Sequence, residues 1–343
     1  MRKMVECVAP PSDAIRMGPV DGVLLLHGVT GTPMEMKPLA RYLEQRGYRV
    51  AVPLLPGHGA GHRALLATTR HDWLDGARRA LRELAAACDH IVLVGLCGGG
   101  LLNVLLAADD PAIGPRPWPG AQLAVHHSVR GRDVRPTRGV GTGATGLPVG
   151  LHQRIAGLVV LSPDLGFRAP GPATPWTRIL LPLAYRVPLL KRHGYWTERP
   201  PYGLKDPRLQ ERITRAIVAA KQGQTVEYGT FRMYVGTIYE MEQLHEAARH
   251  RASAVTCPAL IMHSVEDSLF TIRNATLLYG LLGSQDKTVE LVTGCDHVIT
   301  VDLQKRSVAQ AVDRFVQRVT HRRRVCGSED HVSSFDVHHL PTN

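Results

Sequence analysis

Ten residues, Ile91-Val-Leu-Val-Gly-Leu-Cys-Gly-Gly-Gly100, constrain this chain most, because an apolar run passes into a glycine-rich turn with one reactive side chain at its apex. Val92, Leu93 and Val94 predict a strand covered on both faces, and Leu101-Leu-Asn-Val-Leu-Leu106 predicts the start of a packed helix. Gly95-Leu96-Cys97-Gly98-Gly99 must turn sharply between them. A strand that bends directly into a helix strains its central residue, and glycines on either side relieve the crowding. The turn also puts Cys97 at a helix N-terminus, where unpaired N–H groups favour a thiolate and are expected to lower its pKa. The glycine–cysteine spacing alone also fits a buried structural cysteine, so the rest of the chain has to discriminate.

With 343 residues the chain can bury a large core, and one α/β domain with insertions accounts for the length. Its formal charge of +11 is concentrated in segments that read as loops or termini. Residues 111–154 carry six arginines against the single Asp133, and Arg322, Arg323 and Arg324 follow near the C-terminus. Solvated basic loops explain this distribution; contact with an acidic partner or a membrane surface is the alternative, and a nucleic-acid partner is not expected. The six cysteines, at 7, 88, 97, 257, 295 and 326, show neither a C-x-x-C pair nor metal-finger spacing, so no disulfide framework is expected. Met1 to Pro10 lacks the apolar run of a secretory signal, and no stretch approaches the roughly 18 apolar residues of a membrane span. A cytoplasmic protein without stable membrane insertion is the expectation.

Along the chain, short apolar runs alternate with amphipathic ones. Gly22-Val-Leu-Leu-Leu-His27 reads as a strand entering the turn His27-Gly28-Val29-Thr30-Gly31-Thr32-Pro33, and a helix follows on Met36, Leu39, Ala40 and Leu43, closed by Gly47. Tyr48 to Val52 predicts the next strand, running into the turn-rich Pro53-Leu-Leu-Pro-Gly-His-Gly59. Thr69 or His71-Asp72 opens another helix with Leu74, Ala77, Leu81 and Leu84 on its apolar face. Strands alternating with helices predict a mostly parallel sheet flanked by helices.

On several ordered pieces the chain resembles the α/β-hydrolase superfamily, particularly carboxylesterases and monoacylglycerol-lipase-like enzymes. These are Leu26-His27-Gly28-Val29-Thr30-Gly31, Leu54-Leu-Pro-Gly-His-Gly59, Asp72-Trp73, the elbow at Gly95 to Gly99, His263-Ser-Val-Glu-Asp-Ser-Leu-Phe270 and Gly294-Cys-Asp-His-Val-Ile-Thr300. The resemblance implies an α/β-hydrolase fold with a helical cap. It divides the chain into a first core part over 1–162, a cap insertion over 163–251, a second core part over 252–320 and a disordered basic tail over 321–343. Two stretches depart from the pattern: 111–154 reads as a flexible basic insertion, and cysteine stands at the elbow where most relatives carry serine.

Acyl transfer by a side chain needs a nucleophile, a base within reach, a group that orients the base, and oxyanion donors. Cys97 is the candidate nucleophile, His297 after the strand Val289-Glu-Leu-Val292 the base, and Asp267 after the strand Ala259-Leu-Ile-Met262 the orienting acid. Their order along the chain is the one this fold uses, and the fold implies backbone N–H donors from Val29 and Gly98. His27 and Gly28 are candidates for substrate binding, with His27 also read as shaping its turn. His58, Asp296 and Asp164 are runners-up for base or acid whose simpler roles are in loops and caps. Zinc held by His27, His263, Cys97 and Cys295 matches no metal motif, so neither metal nor cofactor is expected. The leading expectation is a cysteine-dependent hydrolase of an ester or thioester with a lipophilic acyl group. Some superfamily members with cysteine at the elbow transfer acyl groups, as in polyhydroxyalkanoate synthases, so an acyltransferase is one alternative. A non-catalytic hydrolase-fold binding protein is the other.

Overall fold

Six apolar runs become the strands of one parallel sheet in the computed structural model, which describes residues 21–108, 150–167, 176–221 and 232–329. In chain order, β1 (Asp21–Leu26) is followed by α1 (Lys37–Gln45) and the short β2 (Arg49–Ala51). Next come α2 (His62–Leu66), α3 (Arg70–Ala85), β3 (His90–Leu96) and α4 (Gly98–Ala107), then β4 (Ile155–Leu161). α5 (Trp176–Arg186), α6 (Pro188–His193), β5 (Tyr195–Thr197), α7 (Pro207–Lys221), β6 (Arg232–Tyr234) and α8 (Val235–Arg251) lie between β4 and β7 (Ala259–Ser264). The chain closes through α9 (Arg273–Leu281), β8 (Lys287–Val292) and α10 (Lys305–Glu329).

The strand order β2-β1-β3-β4-β7-β8 reverses direction at β1, whose neighbours are β2 on one side and β3 on the other. Such a switch point opens a crevice at the C-terminal ends of the two central strands. Both faces of the sheet are covered, which explains continuous apolar runs rather than alternation. Leu24, Leu26, Ile91 and Leu93 pack with α3, α4, α8 and α9, while Val23, Leu25, Val92 and Val94 pack with α1 and α10. Trp73 of α3 is fully buried, worth roughly 3 kcal/mol of apolar transfer, and its indole N–H donates to Thr68 Oγ1 at 3.0 Å. α3 is capped by Thr69, whose backbone N–H donates to the Asp72 carboxylate at 2.8 Å in a capping box.

Three boundaries differ from the sequence reading. The stretch 163–251 is not all cap: α8 packs along α4, with Met241, Leu244, Ala247 and Ala248 in the same apolar cluster as Leu101 and Leu105. Its alternation of apolar and charged residues conceals which face is buried, and only the packing partner identifies it as a core helix. Residues 321–329 of the expected tail are helical, since α10 continues to Glu329, and Arg323 donates to the carbonyl of Ile155 at 2.8 Å. Most of the 111–154 insertion lies outside the described residues. Its last part is anchored, with Arg154 donating to the carbonyl of Cys88 at 3.2 Å. Residues 330–343 of the expected tail also lie outside the described residues. No described helix is long and apolar enough to cross a membrane.

Candidate active site

Parallel strands deliver their following loops to one edge, so the turns after β1, β3, β7 and β8 converge there. At the end of β3, Cys97 takes φ 51° and ψ −119°, a left-handed conformation that costs a side-chain-bearing residue of order 1–3 kcal/mol. Its N–H donates to the carbonyl of Leu161 at 2.8 Å, and its own carbonyl accepts the N–H of Gly100 at 3.0 Å. A Cβ at Gly95 would lie 2.5 Å from the backbone of Gly99 and Gly100, and one at Gly98 would overlap the Val29 side chain. The elbow glycines are therefore steric necessities, and Cys97 remains only partly buried at the head of α4.

Asp267, in the turn after β7, accepts from His297 Nδ1 at 2.7 Å, and the imidazole and the Cys97 thiol are close enough to act on each other's ionisation. Burial alone would lower the His297 pKa, but the charge and hydrogen bond of Asp267, with a contribution from Cys97, raise it well above its ordinary value. Burial would conversely raise Asp267. The imidazole, the Phe270 N–H and His263 outweigh it and hold the carboxylate below its usual range. Asp267 is itself fixed by N–H donors from Leu269 at 2.9 Å and Phe270 at 2.8 Å. At Cys97 the balance differs from the sequence expectation: burial pushes the thiol up, and His297 with the Gly98 N–H only partly offsets it. The helix terminus is present, but the surrounding protein shields the thiol from much of the solvent, which the sequence does not reveal.

The loop carrying His297 is built from buried carboxylates and hydroxyls. Ser162 Oγ donates to the His297 carbonyl at 2.6 Å, and the His297 N–H donates to Asp296 at 2.8 Å. Asp296 also takes the N–H and hydroxyl of Ser268, so this runner-up acid organises the loop and does not orient the imidazole. Asp302, unnoticed in the sequence, accepts N–H groups from Asp296, Lys205 and Asp206 at 2.7–3.0 Å and ties the segment after β5 to the His297 loop. Asp164 points elsewhere: it pairs with fully buried His245 of α8 at 3.0 Å.

On the opposite side stands the turn after β1. Among the described residues the Val29 N–H has no internal acceptor, and Val29 abuts Gly98, so the two expected oxyanion donors are neighbours. His27, expected to bind substrate, is fully buried and locked within the protein. Its Nε2 accepts the Leu55 N–H at 3.2 Å and its Nδ1 donates to the Gly28 carbonyl at 2.8 Å. Burial, reinforced by nearby His58, drives its pKa down to about 3, so it is a neutral spacer between two loops. His58 likewise faces the Val29 carbonyl at 2.5 Å. Gly28 presents its N–H not outward but to Glu35 Oε2 at 3.0 Å. Glu35 follows a proline in an ordinary-looking first turn, and nothing in its sequence context distinguishes it from an exposed acid. In the stretch expected to form a cap, α5 and α6 present Leu183, Leu189 and Leu190 to solvent, each about half exposed or more. Among the described residues no three His, Cys, Asp or Glu side chains assemble as a metal site.

A metagenome-derived lipolytic enzyme superposes with a TM-score of 0.61 at 23% identity, covering 88% of this chain and 95% of that one. The fold is that of the α/β-hydrolases. A family model described as "Serine aminopeptidase, S33" matches residues 141–304, just under half of the chain. The thermostable monoacylglycerol lipase of Bacillus sp. (strain H-257) is 44% identical over 96 residues, 28% of this chain and 38% of that protein. The carboxylesterase of Bacillus subtilis (strain 168) is 32% identical over 108 residues, 31% of this chain and 44% of that protein. The matches span about two fifths of the length of these two curated relatives, both named for ester hydrolysis.

Proposed function

We propose that this α/β-hydrolase-fold protein is a cysteine-dependent hydrolase of carboxylic esters or thioesters with a lipophilic acyl group. The observation that carries the reading is the 2.7 Å hydrogen bond by which Asp267 holds His297, an imidazole close enough to Cys97 for each to shift the other's charge balance. His297 takes the thiol proton as Sγ attacks the acyl carbonyl carbon, and the oxyanion that forms accepts from the N–H groups of Val29 and Gly98. Its collapse breaks the bond to the leaving alkoxide or thiolate, which takes the proton from His297 and departs. Water, deprotonated by His297, attacks the resulting thioester and releases the acid, restoring the thiol. Asp267 holds the tautomer that leaves the other imidazole nitrogen facing Cys97. Lipophilic substrates are supported by the apolar cap and by the names of the relatives.

Transfer to an acceptor other than water is a second reading, favoured by the cysteine itself, since its thioester is more activated than the ester a serine would form. Both readings are tested by intact-protein mass spectrometry after exposure to mixed acyl thioesters and simple esters, followed by product analysis with alcohol and amine acceptors present. An acyl adduct on Cys97, absent in His297→Ala, with free acid as product is the expected outcome. Acylated acceptor would favour transfer. A Cys97→Ala protein with full turnover overturns both, and no adduct with any acyl donor leaves a non-catalytic binding protein.

A further inference from the structure

Glu35 and Glu198 take no part in the chemistry just described, yet they close around its oxyanion loop from two sides. Glu35 Oε2 accepts the Gly28 N–H at 3.0 Å, and its carboxyl presses so closely on Gly31 that a Cβ there would overlap it. A Cβ at Gly28 would lie 3.4 Å from Glu35 Oε2 and 3.9 Å from Cys97 Cβ, so a single glycine separates the carboxyl from the elbow. From the cap side, Glu198, just after β5, accepts the Thr30 hydroxyl at 3.3 Å. The Gly28 carbonyl takes the Gly31 N–H at 3.1 Å, which makes residues 28–31 one tight turn with Val29 inside it.

We propose that Glu35 is a positioning residue for this turn and fulfils that role as the neutral acid, so that its ionisation weakens the oxyanion hole. The inference rests on the reading of Cys97 as nucleophile. Either protonation state can accept the Gly28 N–H, and so either can hold the turn. A carboxylate, however, puts negative charge beside the place where the oxyanion develops, within a site that screens it poorly. The groups that face Glu35 are Glu198 and His297, while His58 holds the far side of the turn through the Val29 carbonyl. Burial, and to a lesser degree Glu198, raise the Glu35 pKa to about 7 against the Gly28 N–H and His297, and burial raises Glu198 to about 6. Glu35 therefore changes charge around neutral pH.

The test is kcat and KM for p-nitrophenyl butyrate from about pH 5.5 to 9 with the full-length protein, Glu35→Gln and Glu35→Ala. Cys97→Ala serves as the blank, and thermal melts and iodoacetamide labelling of Cys97 accompany the kinetics. The wild type should lose at least about fivefold in kcat/KM on a limb centred near pH 7 that Glu35→Gln lacks, since an amide oxygen accepts the same N–H without charge. Glu35→Ala should lose about tenfold or more in kcat at unchanged KM, with its labelling rate retained. An unaltered limb in Glu35→Gln, a loss in it equal to that of Glu35→Ala, or wild-type kcat in Glu35→Ala overturns this inference alone. A wild type no faster than Cys97→Ala overturns the hydrolase reading and this one with it.

Discussion

At Cys97 a strained backbone, a helix N-terminus and a shielded thiol coincide, and in the proposed hydrolase the partner that decides its reactivity is His297. Burial disfavours the thiolate, so the imidazole must supply what the solvent does not. Asp267 makes that imidazole basic and fixes its tautomer. Asp267→Asn should therefore keep the fold and lower kcat by about 10²- to 10⁴-fold, checked by steady-state kinetics beside circular dichroism. The same variant should slow iodoacetamide labelling of Cys97 near neutral pH, because the thiolate loses its imidazolium partner. Since the folded Asp267 pKa is depressed, the stability it contributes is present above its unfolded pKa and lost as the pH falls through its folded one. Glu35 runs the other way: its raised pKa gives stability that is full below about pH 4.5 and fades as the pH rises through about 7.

Among the elements, the elbow and the His297 loop behave as rigid mounts, each for a different reason. The elbow is rigid because backbone meets backbone: a Cβ at Gly99 would overlap the carbonyls of Leu26 and His27 at the end of β1. Gly99→Ala should cost about 3 kcal/mol or more in urea denaturation, since neither partner is a movable side chain. The His297 loop is rigid because Asp302, itself fully buried, satisfies N–H groups from three residues on two segments. Asp302→Ala leaves the buried Asp296 N–H and the part-buried N–H groups of Lys205 and Asp206 without this acceptor, so a loss of about 2–3 kcal/mol is expected, with a fall in kcat as His297 shifts from Cys97. Thermal denaturation and kinetics on one preparation check both.

Over the whole molecule, α8 returns the segment between β4 and β7 to the core, and a buried ion pair fastens it there. His245 of α8 meets Asp164, just after β4, at 3.0 Å with both side chains out of water. Burial lowers the His245 pKa, but Asp164 and Glu242 outweigh it and bring it up to about 9. The stability from this raised pKa is complete below about pH 6.5 and lost as the pH rises through about 9, amounting to roughly 2–3 kcal/mol. Urea denaturation near pH 6.5 and 9.5 should show that decline in the wild type and a much flatter response in His245→Gln. Breaking the pair lowers the stability of that variant at the acid end, because Asp164 stays buried with its cationic partner removed.

The sequence by itself determined the parallel sheet and the elbow and singled out Cys97, Asp267 and His297 as candidates, because each depends on local patterns: apolar runs, glycines around one strained residue, and polar side chains just after a strand. Strand ends were legible to within about two residues, since hydrogen-bond registers such as Leu96 with Leu161 extend pairing past the apolar run. Only the tertiary structure decided that α8 belongs to the core, that α10 extends beyond 321, that His27 is a buried spacer, and that the Cys97 pKa rises rather than falls. It alone brought Glu198 to Thr30 across 168 residues and Asp302 to Lys205 across 97, and turned Glu35 back onto Gly28 from a turn without a distinguishing pattern. The physical reason is that burial and charge pairing are properties of the space around a side chain. Elements distant in sequence build that space, and no local pattern encodes it.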